Sequence, residues 1–181
     1  MKQYKIFVFS ILFLISGFSS AQTEDVLKIN VLNPAISYEK ATGSKTTLDA
    51  SLGFGYNYSY PNLTLAADDG FQYLFAMFVD VQARYFYNFE KRLAKNKAVR
   101  QNSGNFLALR LLYTGPGPEE ASSFNRTSNH FFAVGPTWGL QRDYGKINLL
   151  FSLGPILYFD PNGNRGFFPL NPEINIGFNL N

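Results

Sequence analysis

The feature that most constrains this chain is the strict period-two alternation of apolar and polar side chains over residues 71–89. All odd-numbered positions in this stretch are apolar, and aromatic residues lie at both ends of the apolar stripe. The other face holds Asp80, Gln82 and Arg84 in its middle. A period of two predicts a β-strand with one apolar and one polar face. Aromatic residues at both ends of the apolar face are typical of a strand that crosses a membrane.

The same pattern recurs along the chain. Residues 48–60 alternate without exception between an apolar face that ends in tyrosines and a face of small or polar residues. Residues 27–39 alternate as well, but their phase changes after Asn33 and Pro34. We interpret this change as a β-bulge, although a barrel rim or a kinked plug segment would look the same. Four later segments alternate with weaker contrast, at 105–114, 130–141, 147–159 and 170–180.

Six connections separate these strands, and most are rich in Gly, Asn, Asp, Pro and Ser, as turns require. They are predicted at 41–46, 61–70, 90–104, 115–129, 142–146 and 160–169. The pattern gives seven strands, whereas single-chain outer-membrane barrels usually have an even number from about 8 upward. Either two strands are merged within residues 22–40, or one lies hidden in a connection. The expected fold is all-β: a small antiparallel up-and-down transmembrane β-barrel of about eight strands.

The N-terminus has the features of a secretion signal. Lys2 and Lys5 precede a short apolar run, and small residues before and at Ala21 predict cleavage after that residue. The run is shorter than the roughly 20 residues that a spanning helix needs. The chain is therefore expected to consist of a signal peptide at 1–21 and one barrel domain at 22–181. Since no later apolar run is long enough for a helix, a membrane location requires a closed barrel.

Composition excludes several classes of function. The chain has no cysteine and one histidine, which rules out disulfides, thiolate metal sites and His/Cys metal clusters. Its net charge of +3 is too small to predict a nucleic-acid partner. Charged residues make up 16% of the chain and aromatic residues 17%, while soluble domains carry about 25% charged residues. We expect no cofactor, and we expect lipid of the outer membrane as the partner.

Two stretches near the N-terminus carry a family resemblance. Residues 27–40 form a strand that starts Leu-Lys-Ile-Asn and ends Tyr-Glu-Lys, and residues 48–56 form a Gly-rich second strand. Together with 132–136 and 153–155 they resemble small porin-like outer-membrane β-barrel proteins of Gram-negative bacteria. Lys40 stands where that family often has Arg. The resemblance implies a barrel in the outer membrane and no catalytic residues.

The polar strand faces carry charged residues that a closed barrel would enclose. One interpretation is a polar pathway or a ligand contact. The other, which we favour, is a set of ion pairs that fills a narrow lumen, because buried charges need partners and eight strands leave room only for side chains. The candidate lumen residues are Lys28, Glu39, Asp49, Asp80, Arg84, Arg110 and Glu173.

Other motifs point to no enzyme. His130, the single histidine, lies at the predicted start of a strand, and no Gly-x-Ser-x-Gly elbow is present. Residues 160–164 read Asp-Pro-Asn-Gly-Asn, but Arg165 and Asn171 occupy the positions where a calcium loop needs Gly and Glu. We therefore predict a plain turn at 160–164 and no catalytic or metal-binding residue.

A basic run follows the strand at 71–89. It consists of Lys91, Arg92, Lys95, Lys97 and Arg100. It either contacts anionic lipid head groups or a partner, or forms a solvated connection, which is commoner for charge runs. With the C-terminus in the periplasm this run lies there too, but the first strand then runs in the wrong direction unless another strand precedes it.

The expected function is that of an outer-membrane β-barrel with a structural or interaction role and a side-chain-filled lumen. A narrow pore or small-ligand transporter on the same fold is an alternative. A second alternative is a soluble periplasmic, lipocalin-like barrel that binds an apolar ligand and turns its apolar faces inward.

Overall fold

The structure, a computed structural model, describes residues 23–56, 75–117 and 128–180. Each strand pairs antiparallel with the next, and the last pairs with the first, so the sheet closes into an eight-stranded up-and-down barrel. The all-β fold class and the strand number are thereby confirmed, while the predicted signal peptide lies outside the described residues. The strands are β1 (Val26–Asn30), β2 (Ala35–Ala41), β3 (Thr46–Tyr56), β4 (Phe75–Phe86), β5 (Gly104–Thr114), β6 (Phe131–Tyr144), β7 (Ile147–Phe159) and β8 (Arg165–Asn179).

The eighth strand comes from the N-terminal segment, where a single bulged strand was predicted. β1 and β2 pair with each other, from Val26 opposite Glu39 to Asn30 opposite Ala35, so residues 31–34 form a turn. The β-bulge prediction is wrong, and the alternative of two merged strands is correct. A tight turn changes the phase of the alternation just as a bulge does. The extra strand also reverses the chain direction, which places the first and last described residues, 23 and 180, at one end of the barrel.

The connection predicted at 160–169 is too long. β8 already begins at Arg165, because Asp160 closes a short turn: its carboxylate accepts hydrogen bonds from Asn164 N at 2.9 Å and Asn164 Nδ2 at 2.8 Å. Pro169 lies near a register shift between β7 and β8. A proline is tolerated at such an irregularity, although in the sequence it resembles part of a loop.

The two ends of the barrel differ. We call the end that carries residues 23 and 180 and the turns at 42–45 and 145–146 the terminal end. The opposite end, with the turns at 31–34 and 160–164, is the distal end. The terminal end is covered by residues 87–103, which we call the cap segment. This segment lies almost entirely within a predicted connection but contains a short helix, α1 (Phe89–Leu93), and a 3-10 turn (Arg100–Asn102).

The cap segment is anchored by packing and by hydrogen bonds. Phe89 is fully buried and stacks on Phe86 with ring centroids 4.8 Å apart. Asn102, also fully buried, donates from Nδ2 to Glu24 O at 2.9 Å and accepts from Glu24 N at 2.8 Å. Gln101 and Asn102 both have left-handed backbone angles, with φ of 47° and 60°. Asparagine adopts this region comparatively readily, whereas for Gln101 the conformation is unfavourable.

The outward faces of all eight strands are apolar. Every strand exposes at least one large hydrophobic side chain; Leu107, Leu109 and Leu111 on β5, for example, are 52%, 54% and 53% exposed. The intervening positions point into the barrel, where most of them are buried. No helix among the described residues is long and apolar enough to cross a membrane.

The charged interior and the distal cavity

Four charged residues form one cluster in the half of the interior nearer the terminal end. Lys28 Nζ lies 2.9 Å from Glu39 Oε2 and 3.4 Å from Asp49 Oδ2. Arg84 Nη1 lies 3.6 Å from Glu39 Oε1, and its Nη2 lies 3.3 Å from Asp49 Oδ1. All four side chains are at most 4% exposed. Each cation therefore contacts both carboxylates, and we call this group the terminal charge cluster.

Neutral side chains complete the terminal charge cluster. Thr47 donates to Glu39 Oε1 at 2.7 Å, and Ser37 donates to Asp49 Oδ2 at 2.9 Å. Gln141 is fully buried; its Nε2 donates to Glu39 Oε2 at 3.0 Å and to Gln101 O of the cap segment at 3.1 Å. The cap and the charges below it thus belong to one hydrogen-bonded network.

A second cluster, the distal charge cluster, lies nearer the other end. It consists of Asp80, Arg110 and Glu173. Arg110 Nη2 lies 2.6 Å from Asp80 Oδ2, and its Nη1 lies 3.4 Å from Glu173 Oε2. Ser152 also donates to Glu173 Oε2, at 3.0 Å. Two donor side chains, from β5 and β7, therefore contact two carboxylates, from β4 and β8.

Gln82 joins the two clusters. Its Nε2 donates to Asp80 Oδ2 at 3.2 Å and to Glu173 Oε2 at 3.1 Å, while its Oε1 accepts from Arg84 Nε at 3.1 Å. The structure places all seven candidate lumen residues inside the barrel and divides them between these two clusters. Formally they carry three positive and four negative charges, so the pairing leaves one negative charge in excess.

Apolar clusters lie beyond the charges at both ends. At the terminal end, Phe106 packs edge-on against Phe86 at 5.5 Å, and the Arg84 guanidinium lies 5.0 Å from the Phe106 ring centroid. At the distal end, Leu112, Ala133 and Ile156 pack together on one side of the interior. From the terminal end to the distal end, the described interior contains the cap, an aromatic layer, two charge clusters and an apolar cluster.

A cavity of about 290 Å³ occupies the other side of the distal end. Its floor is the distal charge cluster, and its walls include Phe78 and Leu112. Three polar atoms of residues that line it are buried and have no hydrogen-bond partner within the described part of the chain: Asp80 Oδ1, Arg110 Nε and Asn175 Oδ1. Buried polar atoms are nearly always paired, so this concentration at one cavity is unusual.

Among the residues that the structure describes, the cavity borders a gap in the barrel wall, which we call the notch. The register of β1 against β8 ends at Asn30 opposite Gly177, and Val31 N then donates to Ile176 O at 2.8 Å. The register of β2 against β3 ends at Ala35 opposite Gly53, and Phe54 N then donates to Pro34 O at 2.9 Å. β8 continues beyond those points to Arg165. Among the described residues, only the short turn at 31–34 lies between this part of β8 and β3. Residues of this turn and of β8 line the cavity.

Gln82, Gln141 and Asn102 are central to this interior but were not among the predicted lumen residues. Gln82 and Gln141 occupy inward positions by strand parity, so the alternation contained a signal for them, but neither is charged. Asn102 lies in a predicted connection, where no periodicity indicates which side chain turns inward.

The remaining candidate motifs lie away from this interior. His130 is exposed, and its Nδ1 lies 2.8 Å from Tyr113 Oη. Most of the basic run is exposed on the cap segment. Within the described ranges no group of three or more His, Cys, Asp or Glu residues is arranged to hold a metal ion. Comparisons of the chain with protein-family models, with curated proteins and with solved structures found no match.

Proposed function

We propose that this chain is an outer-membrane β-barrel protein with a structural or interaction role and a side-chain-filled lumen, exported by a signal peptide cleaved after Ala21. The observation that carries the proposal is the inverted distribution of side chains, with apolar residues on the outside and charges within. Hiding one large apolar side chain from water is worth about 1.5–3 kcal/mol. A barrel that exposes such side chains on every strand is therefore suited to lipid.

The distribution of outward aromatic residues supports the same proposal. Tyr85 and Tyr144 lie toward the terminal end, and Phe54 and Phe159 lie toward the distal end. Aliphatic residues such as Leu109 lie between these groups. Two aromatic girdles around an aliphatic band are characteristic of outer-membrane barrels.

The alternatives have less support. A lipocalin-like barrel would need an apolar interior to hold an apolar ligand, whereas this interior is occupied by two charge clusters. A pore would need a continuous open path, but Arg84 and Gln82 on β4 and Arg110 on β5 reach across the interior to Glu39 and Glu173, and the cap segment covers one end. The described interior therefore favours a filled lumen.

Membrane fractionation tests the proposal. The full chain would be expressed in a Gram-negative host, and the outer-membrane fraction would be analysed on a gel with and without boiling. We expect outer-membrane recovery and a band that shifts on boiling, since closed barrels resist detergent until heated. A variant that lacks residues 1–21 is the control and should stay in the cytoplasm. Recovery of the full chain as a soluble periplasmic protein without a shift would contradict the proposal.

Planar-bilayer recording then separates a filled lumen from a pore. We expect the purified protein to insert without discrete conductance steps. Reproducible steps from heat-modifiable protein would favour the narrow-pore alternative.

A further inference from the structure

We propose that the distal cavity binds the head group of a membrane lipid that carries both a primary ammonium and a phosphate, with the lipid reaching the cavity sideways through the notch. The inference rests on the proposed membrane location. It goes beyond that proposal because it gives the barrel a specific ligand class and a route of entry.

The floor of the cavity favours a cation. The Asp80 side chain is 4% exposed, and its Oδ2 accepts from Arg110 while its Oδ1 accepts from no group in the described structure. Asp80 and Glu173 bring two carboxylates against the single guanidinium of Arg110. Asn175, which is 4% exposed, adds a second acceptor oxygen to which no described residue donates. A primary ammonium supplies three donors and no acceptor, so it matches these oxygens.

The same floor also offers one unused donor. Arg110 Nε is buried and has no hydrogen-bond partner among the residues that the structure describes, although both Nη atoms of Arg110 contact carboxylates. A phosphate oxygen on the same ligand would accept from this Nε. A zwitterionic head group therefore satisfies all three unpartnered atoms, whereas a simple alkylamine leaves Arg110 Nε unsatisfied and a plain phosphate leaves Asp80 Oδ1 unsatisfied.

The shape of the site favours a lipid over a soluble compound. The cavity volume of about 290 Å³ is at the lower end of cavities that bind small molecules, so it accommodates a head group without its chains. The notch between β8 and the 31–34 turn opens beside outward apolar residues: Leu32 is 48% exposed and Ile174 is 59% exposed, and both also line the cavity. Acyl chains can lie on these side chains while the head group enters.

Native mass spectrometry of the detergent-solubilised, heat-modifiable barrel provides the test. The probes are phosphatidylethanolamine, phosphatidylglycerol with the same chains, and free phosphoethanolamine. We expect saturable retention of phosphatidylethanolamine at one site and much weaker retention of the other two. Equal retention of both lipids would overturn the ammonium assignment. Equal apparent affinity of free phosphoethanolamine would overturn the lateral route and indicate a soluble ligand.

Two variants tie the binding to the cavity. Asp80→Asn should weaken retention about tenfold, because it removes the charged partner of the ammonium. Glu90→Gln removes one negative charge at the terminal end and should leave retention unchanged. Since Asp80→Asn can also impair folding, a second variant, Ser51→Cys, places the only cysteine of the chain in the cavity lining.

Labelling Ser51→Cys after folding with a bulky thiol reagent should abolish lipid retention without loss of the heat-modifiable band. Retention that survives full labelling would contradict the proposed site. Failure to obtain a heat-modifiable outer-membrane barrel at all would instead overturn the proposed function, so the two failures are distinguishable.

Discussion

Glu39 and Asp49 lie directly opposite each other on β2 and β3, with both carboxylates buried inside the barrel. Like charges in such a cross-strand pair repel and destabilise a sheet. Here Lys28 from β1 and Arg84 from β4 flank the pair, and each contacts both carboxylates. The two outer strands thus supply the charges that allow the two inner strands to pair in this register.

The first prediction concerns this four-residue cluster. Lys28→Met should lower the free energy of unfolding by about 3–5 kcal/mol, because it leaves buried carboxylate charge with Arg84 alone. Urea unfolding of the barrel in detergent micelles measures the loss. Lys91→Met, on the exposed cap, is the control and should have little effect. Glu39→Gln should lower the free energy of unfolding much less in the Lys28→Met background than it does alone. If the two losses of stability were additive, the two residues would not be coupled.

The second prediction concerns the outward face. Leu109→Arg places a charge in the middle of the apolar band and should lower the stability of the inserted barrel by about 2–4 kcal/mol. Leu93, on α1, is 45% exposed, and Leu93→Arg is the matched control with an expected effect near zero. Urea unfolding from lipid vesicles compares the two variants. If Leu109→Arg were as stable as the control, residue 109 would face water.

The third prediction concerns the cap segment. Asn102→Ala removes both hydrogen bonds to Glu24 and keeps the left-handed backbone. It should therefore lower the free energy of local unfolding of the cap segment by about 2–3 kcal/mol. Asn102→Gly removes the same hydrogen bonds but adopts φ of 60° without strain. Amide hydrogen exchange at Glu24 and Ser103 should therefore be faster in both variants, and fastest in Asn102→Ala. Identical exchange in the two variants would argue against backbone strain at this position.

The fourth prediction concerns the pH dependence of a contact between the cap and the turn at 42–45. Lys45 Nζ lies 2.5 Å from Glu90 Oε1. This hydrogen bond lowers the pKa of Glu90 below its ordinary 4.5 and raises the pKa of Lys45 above its ordinary 10.5. The stability that ionised Glu90 contributes to this contact is present above pH 4.5 and is lost as the pH falls through the lowered pKa. The Lys45 contribution is present below pH 10.5 and is lost as the pH rises through the raised pKa.

Hydrogen exchange of the cap amides as a function of pH measures this effect, after correction for the intrinsic exchange rate. We expect protection to be constant between about pH 5 and 10 and to fall outside that window. The effect should be small and weakened by salt, since both side chains are solvent-accessible. Glu90→Gln should remove the acid-side fall; a profile unchanged by this substitution would exclude the pair as its cause.

Local sequence was sufficient for the strand faces of this protein. Because side chains in a β-strand alternate with a period of two, parity alone assigned Asp80, Gln82 and Arg84 to one face and their neighbours to the other. The high aromatic content and the turn residues between alternating segments were likewise enough to predict an up-and-down barrel of about eight strands. These properties depend on a few consecutive residues, which is why they can be read without a structure.

Tertiary structure decided the features that depend on how distant strands meet. A phase change fits either a bulge or a hairpin, and only the pairing of Val26 with Glu39 and of Asn30 with Ala35 shows the hairpin. Ring closure and strand stagger determine which interior side chains contact each other. For example, Gln82 on β4 reaches Glu173 on β8 across the barrel. The notch follows from the same cause, since β1 and β2 end before their longer neighbours β8 and β3 do at the distal end.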